Sequence, residues 1–416
     1  MPTTAKNFFD ILTERGLTAQ WTDEHIRERL EKPTTVYCGF DPTADSLHVG
    51  SLVPIMGLAW AQKCGHKPLV LVGGATGLVG DPSGKTEARK MLSLAEIEAN
   101  AQAIAGQIES VIRFDSTEDG AELVNNAHWL KDKPWIEMLR EIGPHFSVNR
   151  MLSMESVKGR LEAGGITYLE FSYMIMQAYD FLHLYQQRGC TLQLGGQDQW
   201  GNIVMGMELG RRVAGADLAG LTFPLVTKAD GGKFGKSEAG NIWLDARRTS
   251  PYEFYQFWRN TADADVGRYL GYFTFLPFEE VKRLAAAEGQ ALNEAKEVLA
   301  FEVTKLIHGE SEAVAARSSA KKAFGAAQDV TGDAIPHASI GRAELEEGAG
   351  LLDLLRRAKL ASSNSEARRL VQGGGVRIGE AKAQDPTRKV TLEDASEGYL
   401  LLRVGKKRLF RYDIKG

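Results

Sequence analysis

Three short stretches of the 416-residue chain combine side chains and spacings suited to handling phosphate. The first, Asp41-Pro42-Thr43-Ala44-Asp45-Ser46-Leu47-His48-Val49-Gly50-Ser51, follows a strand-like run and opens a helical pattern. A helix start presents unpaired N–H groups and positive potential, so Thr43 and His48 would add donors to phosphate oxygens and Gly50 would let a nucleotide come close. Taken alone, His48 at a helix start serves equally well as a cap or packing residue. The second stretch runs from Gly73-Gly74-Ala75-Thr76-Gly77 to Asp81-Pro82-Ser83-Gly84-Lys85. It misses the Walker spacing by one position, because Val79 stands where the first glycine belongs, and the dinucleotide fingerprint fails as well. The third, Asp230-Gly231-Gly232-Lys233-Phe234-Gly235-Lys236-Ser237, carries two lysines on a glycine-flanked loop. Such lysines neutralise charge that develops on a transferring phosphate, though many glycine loops carry lysines for solvation alone.

The elements around these stretches predict how they are held. Thr35-Val36-Tyr37-Cys38-Gly39-Phe40 is β-branched and aromatic and ends at Asp41-Pro42. It reads as a strand. Val49, Leu52, Val53, Met56, Trp60 and Cys64 then recur at helical spacing until Gly65, and Leu69-Val70-Leu71-Val72 is a continuous apolar run. A strand, a crossover helix and a fully covered strand indicate a doubly wound, Rossmann-like parallel α/β sheet. Thr191-Leu192-Gln193-Leu194, entering Gly195-Gly196 and then a helix over about 202–213, repeats the strand, glycine turn and helix. Residues 91–164 read as a helical insertion broken at Lys133-Pro134 and Gly143-Pro144, inside a catalytic domain spanning 1–248. Ser250-Pro251-Tyr252-Glu253 is a capping box that opens an all-helical domain over 249–325. A Gly/Pro/acidic stretch without periodicity, 326–347, reads as a linker to a small α+β module at 348–416.

Composition limits the alternatives. Hydrophobic residues make up 43% and charged residues 25%, and no apolar run is long enough to span a membrane. Cys38, Cys64 and Cys190 are too few and too scattered for a disulfide framework or a zinc site, and the first thirty residues show no secretory or transit pattern. A cytoplasmic protein without a resident metal is expected. The net charge of −4 conceals a division: Gly348 to Gly416 carries fifteen Lys and Arg against eight Asp and Glu, or +7, leaving −11 for all that precedes it. A basic module on an acidic body suits a polyanion.

In combination, Gly39-Phe40-Asp41-Pro42-Thr43, Leu47-His48-Val49-Gly50 and Lys233-Phe234-Gly235-Lys236-Ser237 resemble the two signatures of class I aminoacyl-tRNA synthetases. Glu170-Phe171-Ser172-Tyr173-Met174-Ile175-Met176-Gln177-Ala178-Tyr179-Asp180 and Leu194-Gly195-Gly196-Gln197-Asp198-Gln199-Trp200-Gly201-Asn202 resemble the bacterial tyrosyl branch of that family over essentially the whole chain. The resemblance implies tyrosine activation by ATP, with Mg2+ on the phosphates, and transfer to tRNA(Tyr). It puts Tyr37 and Asp180 on the substrate phenol and Tyr173, Gln177 and Asp81 on its ammonium. Gln199 falls near the substrate carboxylate, and Cys38, Gly39, Asp41, Gly50, Gly196 and Asp198 beside ATP. Thr43, His48, Lys85, Arg89, Lys233 and Lys236 become the phosphate-handling set, with Lys236 also counted among the ATP contacts. A phenol can donate to a carboxylate while accepting from another hydroxyl, which rewards tyrosine over phenylalanine. Tyr173, Gln177 and Asp180 share one helical face.

One position departs from the family pattern, since Ser51 stands where the first signature often has histidine. Pro54 falls near the start of that helix, where proline costs little. Ser363-Asn364-Ser365-Glu366 opens a helix carrying Arg368 and Arg369, followed by a strand with Arg377. This tail resembles a small RNA-binding module first named in a ribosomal protein, and these arginines would lie along an RNA backbone. The family also implies a homodimer, for which Trp129, Trp135, Met138, Leu139, Phe146 and Met151 offer apolar surface unless they line the core. A tryptophanyl-type synthetase, a small-molecule nucleotidylyltransferase or a synthetase-derived RNA-binding protein remain the rival readings.

Overall fold

The computed structural model describes residues 6–83, 92–229, 231–232, 234–237, 240–324, 336–396, 398–405 and 408–415. Packing divides the chain into two units, Met1–Asp245 with Ala262–Ala295, and Ala246–Thr261 with Lys296–Gly416.

The first unit is built on a six-stranded sheet: β1 (Gln20–Trp21), β2 (Thr35–Phe40), β3 (Lys67–Val72), β4 (Glu122–Asn125), β5 (Cys190–Gly196) and β6 (Ala219–Phe223), in the order β1-β6-β5-β2-β3-β4. All neighbours are parallel except the short edge strand β1. The chain lays β3 and β4 on one side of β2 and then returns to place β5 on the other. This reversal opens a crevice at the carboxyl ends of β2 and β5, the usual ligand position in such sheets. The helix Leu52–Lys63 is buried on most of its circumference, beyond the single apolar face that its periodicity suggests. Gly57 lets it lie against Phe223 of β6, whose ring occupies the space a Cβ would need.

The long helix Tyr168–Arg188 starts at a reciprocal capping box between Thr167 and Glu170 and stops at Gly189, which takes the left-handed conformation. Met174, Ala178 and Leu182 pack with Met205 and Leu209 of the helix Trp200–Ala214. That packing fixes the helix's rotation and turns Tyr173, Gln177 and Asp180 towards the crevice.

Three expectations about organisation need correction. Residues 91–164 include β4, a strand of the central sheet, beside the helices Leu94–Ile108, Val148–Ser153 and Glu155–Ala163. Four residues paired along one edge leave too short a periodic signal to stand out from the helices around them. The helices Val266–Phe273 and Phe278–Ala285, expected in a domain over 249–325, belong to the first unit. There the buried Arg15 guanidinium donates to the Gly271, Thr274 and Leu276 carbonyls. Capping signals locate a helix without saying which core its apolar face will join. The segment expected as a linker over 326–347 contains a strand, His337–Gly341, paired in parallel with Arg408–Lys415, and a helix, Arg342–Glu347. Residues 325–335 lie outside the described part.

In the second unit this strand completes a five-stranded sheet ordered Ala381–Ala383, Val376–Ile378, Tyr399–Val404, Arg408–Lys415, His337–Gly341. Leu351, Leu354, Leu355, Val371, Val376, Leu400 and Leu402 form its core. The helix Asn364–Gln372 is capped by Ser363, while Glu366 accepts from Ser362 rather than from the cap residue. Arg368, Arg369 and Arg377 are exposed.

Candidate active site

A cleft of about 670 Å³ lies at the crevice. It is lined by Tyr37, Cys38, Gly39 and Asp41 from β2 and its exit, and by Thr43, His48, Gly50 and Ser51 from the following turn. Asp81, Tyr173, Gln177, Asp180, Gly196, Asp198 and Gln199 complete the wall. Every candidate for tyrosine, ATP and phosphate contact whose side chain is described thus lines one cavity, although these residues are up to 162 positions apart in sequence. Lys85, Arg89 and Lys233 lie outside the described residues, and of Lys236 only the backbone, in the two-residue strand Lys236–Ser237, is described.

Two polar groups meet at the deep end. The Tyr37 ring is 1% exposed and packs edge-on against Phe181, and its hydroxyl has no hydrogen-bond partner among the described residues. A buried hydroxyl left so is costly unless a ligand completes it. Asp180 is 2% exposed; its Oδ2 accepts from Asn126 Nδ2 at 2.9 Å and its Oδ1 from Trp129 Nε1 at 2.7 Å. Burial pushes its pKa up to about 7, against the pull of those two donors, and the charge of Asp41 adds to the rise. Burial, reinforced by Asp180, also holds the Tyr37 phenol well above its ordinary pKa, so Tyr37 stays a neutral donor and acceptor.

Midway up the cleft, Tyr173 donates to Asp41 Oδ2 at 2.8 Å, leaving the Tyr173 oxygen as an acceptor. Asp41 Oδ1 takes the Thr76 hydroxyl at 2.8 Å, and Asn126 Nδ2 donates to Thr76 Oγ1 at 2.9 Å. Asp41 was expected beside the nucleotide. Asp41 lines the cleft, and both of its carboxylate oxygens also orient protein groups, linking Tyr173 through Thr76 and Asn126 to Asp180. Gln199 Nε2 donates to Asp81 Oδ2 at 2.6 Å, and Asn202 Nδ2 to Gln177 Oε1 at 2.8 Å. Asp81, Gln177 and Tyr173 thereby present oxygens in fixed orientations, the number an ammonium requires.

At the mouth, His48 caps the first helical turn, its Nδ1 accepting from Gly50 N at 3.0 Å. With Nδ1 so occupied, a neutral imidazole carries its proton on Nε2, a donor suited to a phosphate oxygen. A side chain at position 50 would come within 2.7 Å of the His48 ring, so the glycine makes room for its own histidine. Burial pushes the Cys38 thiol up to about 12, which removes it as a nucleophile.

The sequence reading gave no site role to Asn126, Trp129, Thr76, Asn202 or Gln193. Gln193 stands opposite Tyr37 in the β2/β5 register, and its Oε1 has no partner among the described residues. Asn126 directly follows β4, so recognising that strand would have put an asparagine at its carboxyl end, facing the crevice. Of the six apolar residues expected at a dimer surface, Trp129 serves Asp180, Met151 is buried, and Met138 and Phe146 pack on the core. Trp135 and Leu139 are exposed.

Comparison with known proteins identifies the family. Residues 28–325 match the family model described as "tRNA synthetases class I (W and Y)", and residues 330–412 match "Tyrosine--tRNA ligase SYY-like C-terminal domain". A tyrosine–tRNA ligase of Acetivibrio thermocellus is 48% identical over 97% of this chain and 98% of its own. One of Clostridium botulinum is 50% identical over the same shares. The C-terminally truncated mitochondrial tyrosyl-tRNA synthetase of Aspergillus nidulans superposes with a TM-score of 0.69 at 34% identity, covering 76% of this chain and 94% of that one. With a family model spanning most of its length and relatives sharing half of its residues across nearly all of it, the chain belongs to the class I (W and Y) tRNA synthetases.

Proposed function

We propose that this protein activates L-tyrosine with ATP and transfers the tyrosyl group to tRNA(Tyr), with each site residue in the following role. The observation that carries the substrate assignment is the buried pair of Tyr37, whose hydroxyl has no protein partner among the described residues, and Asp180, an acceptor already oriented by two N–H groups. A substrate phenol donates to Asp180 and accepts from Tyr37. Tryptophan would leave the Tyr37 hydroxyl unpaired, which favours tyrosine over the tryptophanyl reading. Tyr173, Gln177 and Asp81 hold the ammonium, and Gln199 lies toward the carboxylate.

The substrate carboxylate attacks the α-phosphorus of ATP in line, pyrophosphate leaves, and a terminal ribose hydroxyl of tRNA then attacks the activated carbonyl. No protein nucleophile takes part. Cys38, Gly39, Asp41, Gly50, Gly196 and Asp198 adjoin the nucleotide, while Thr43, His48, Lys85, Arg89, Lys233 and Lys236 stabilise the charge on the phosphates. Mg2+ would enter on the triphosphate and spread its charge.

The exposed Arg368, Arg369 and Arg377 would contact the tRNA backbone. Trp135, Ile136, Leu139 and Tyr168, from 44% to 63% exposed, would be covered in a homodimer. No described helix is long and apolar enough to cross a membrane, and the cytoplasm is the compartment this reading implies. Pyrophosphate exchange with each amino acid in turn tests the assignment. Exchange driven by tyrosine, and lost in Asp180→Ala, is the expected result. Exchange driven by tryptophan, or undiminished in the variant, would overturn it.

A further inference from the structure

The turn that carries Thr43 and His48 has no regular structure of its own, so its backbone groups must find partners elsewhere. They find them on the helix Leu94–Ile108. Gln107 Oε1 accepts from Leu47 N at 2.9 Å while Gln107 Nε2 donates to Asp45 O at 3.2 Å. The Ser46 hydroxyl lies 3.3 Å from the same Oε1 and 2.9 Å from Leu47 O. Two turns earlier on the same face, Asn100 Nδ2 donates to Pro42 O at 3.1 Å. A backbone N–H and a backbone carbonyl fix which end of the Gln107 amide is which, and only a side chain with both a donor and an acceptor satisfies the two.

The other edge of the turn is tied as well. Leu244 N donates to Leu47 O at 2.9 Å, Val49 N to Ile242 O at 3.0 Å, and Asp245 N to Ser46 Oγ at 3.2 Å. Ile242 N in turn donates to Gly235 O, within the two-lysine motif, at 2.9 Å. Asp45 to Val49 is therefore a strip held between one helix and the segment that leads back from Lys236. Gln107 supplies two of the bonds on the helix side.

We infer that Gln107 is a positioning residue for adenylate formation, setting the His48 turn, and through its backbone pairing the start of the Lys236 segment, relative to the sheet. It touches neither substrate. Its removal takes these partners from Leu47 N and Asp45 O and loosens the turn from the helix, and a displacement of about 1 Å at reacting groups costs on the order of a hundredfold in rate. Because the turn is also held from its other edge, the expected loss is smaller, about tenfold. The tyrosine side, built on Tyr37 within β2, on the helix Tyr168–Arg188 and on Asp81, shares none of these bonds.

The inference rests on the reading that His48 serves ATP, and the experiment separates the two. Pyrophosphate exchange is measured in the full-length chain for Gln107→Ala, Gln107→Met and His48→Ala, with tyrosine affinity by equilibrium dialysis. Gln107→Met keeps the length of the side chain without its hydrogen bonds, and so guards against a packing effect in the alanine variant. Both Gln107 variants are expected to lower kcat/KM for ATP about tenfold while tyrosine affinity stays within about twofold of the parent. If His48→Ala is impaired and Gln107→Met matches the parent in kcat and in KM for ATP, the positioning role is wrong. An equal loss of tyrosine and ATP affinity in the Gln107 variants would also overturn it, since that reports a general loss of structure. If His48→Ala itself is unimpaired, the reading of the turn as an ATP site falls first.

Discussion

Replacing Asp180 by asparagine should change how stability depends on pH, by an amount that the site's geometry sets. The carboxyl is buried, and its pKa is displaced from 3.8 to about 7, chiefly by burial. Between these values the folded chain holds a proton that the unfolded chain has released, so stability falls as pH rises, by about 1.4 kcal/mol per unit, and levels off above pH 7. The full span amounts to about 4 kcal/mol. Asparagine has no charged form to desolvate. Its amide does set an N–H against the donors Asn126 and Trp129, but that penalty is the same at every pH. The stability of Asp180→Asn relative to the parent should therefore rise by about 2 kcal/mol between pH 5.5 and pH 8.5, and His66, held at about 4 by burial, titrates in both proteins and cancels. Urea unfolding at the two pH values, followed by intrinsic fluorescence, measures this. A difference that stays flat across the range would refute the argument that a desolvated carboxyl lies at the base of the cleft. Under the proposed phenol contact, KM for tyrosine in the parent should also climb as pH drops below about 7, up to tenfold per unit, because a protonated Asp180 no longer accepts from the phenol as a carboxylate does.

Lys233→Ala and Lys236→Ala should slow adenylate formation with tyrosine affinity nearly intact, and stopped-flow measurements that changed only the tyrosine dissociation constant would contradict that role. Gly57→Ala would put a Cβ 2.1 Å from Phe223 Cζ, so thermal unfolding should show a loss of about 1–3 kcal/mol; an unchanged midpoint would mean that β6 can yield. Removing everything after Phe324 should leave tyrosine-dependent pyrophosphate exchange and abolish tRNA charging. A cut just before Gly348 would instead strip the His337–Gly341 strand of its parallel partner. Trp135→Glu should turn the proposed dimer into a monomer by sedimentation, and an unshifted dimer would place the interface elsewhere.

How much of this was legible beforehand depended on the range of the interaction. Local signals carried well: the Ser250 capping box and the apolar run of β3 are short-range patterns read over a few residues, and the structure contains both of them. The spacing of Tyr173, Gln177 and Asp180 was enough to put them on one face. Signals too short for periodicity were lost, as with β4, and Asn126 and Trp129 were lost with it, since nothing near them in sequence reveals that they converge on Asp180.

The sequence by itself determined the family and the parallel α/β plan, because these follow from residue type, period and motif. Only the tertiary structure decided what the side chains of the cleft do for one another. It occupied both oxygens of Asp41 with Thr76 and Tyr173, raised Asp180 by burial, left the Tyr37 hydroxyl without a partner among the described residues, and assigned the helices at 266–273 and 278–285 to the first unit. The physical reason is that hydrogen-bond partnership and desolvation are properties of neighbours in space. Here those neighbours come from chain segments as far apart as Asp41 and Tyr173, which only the completed sheet and the packed helix bring within 2.8 Å.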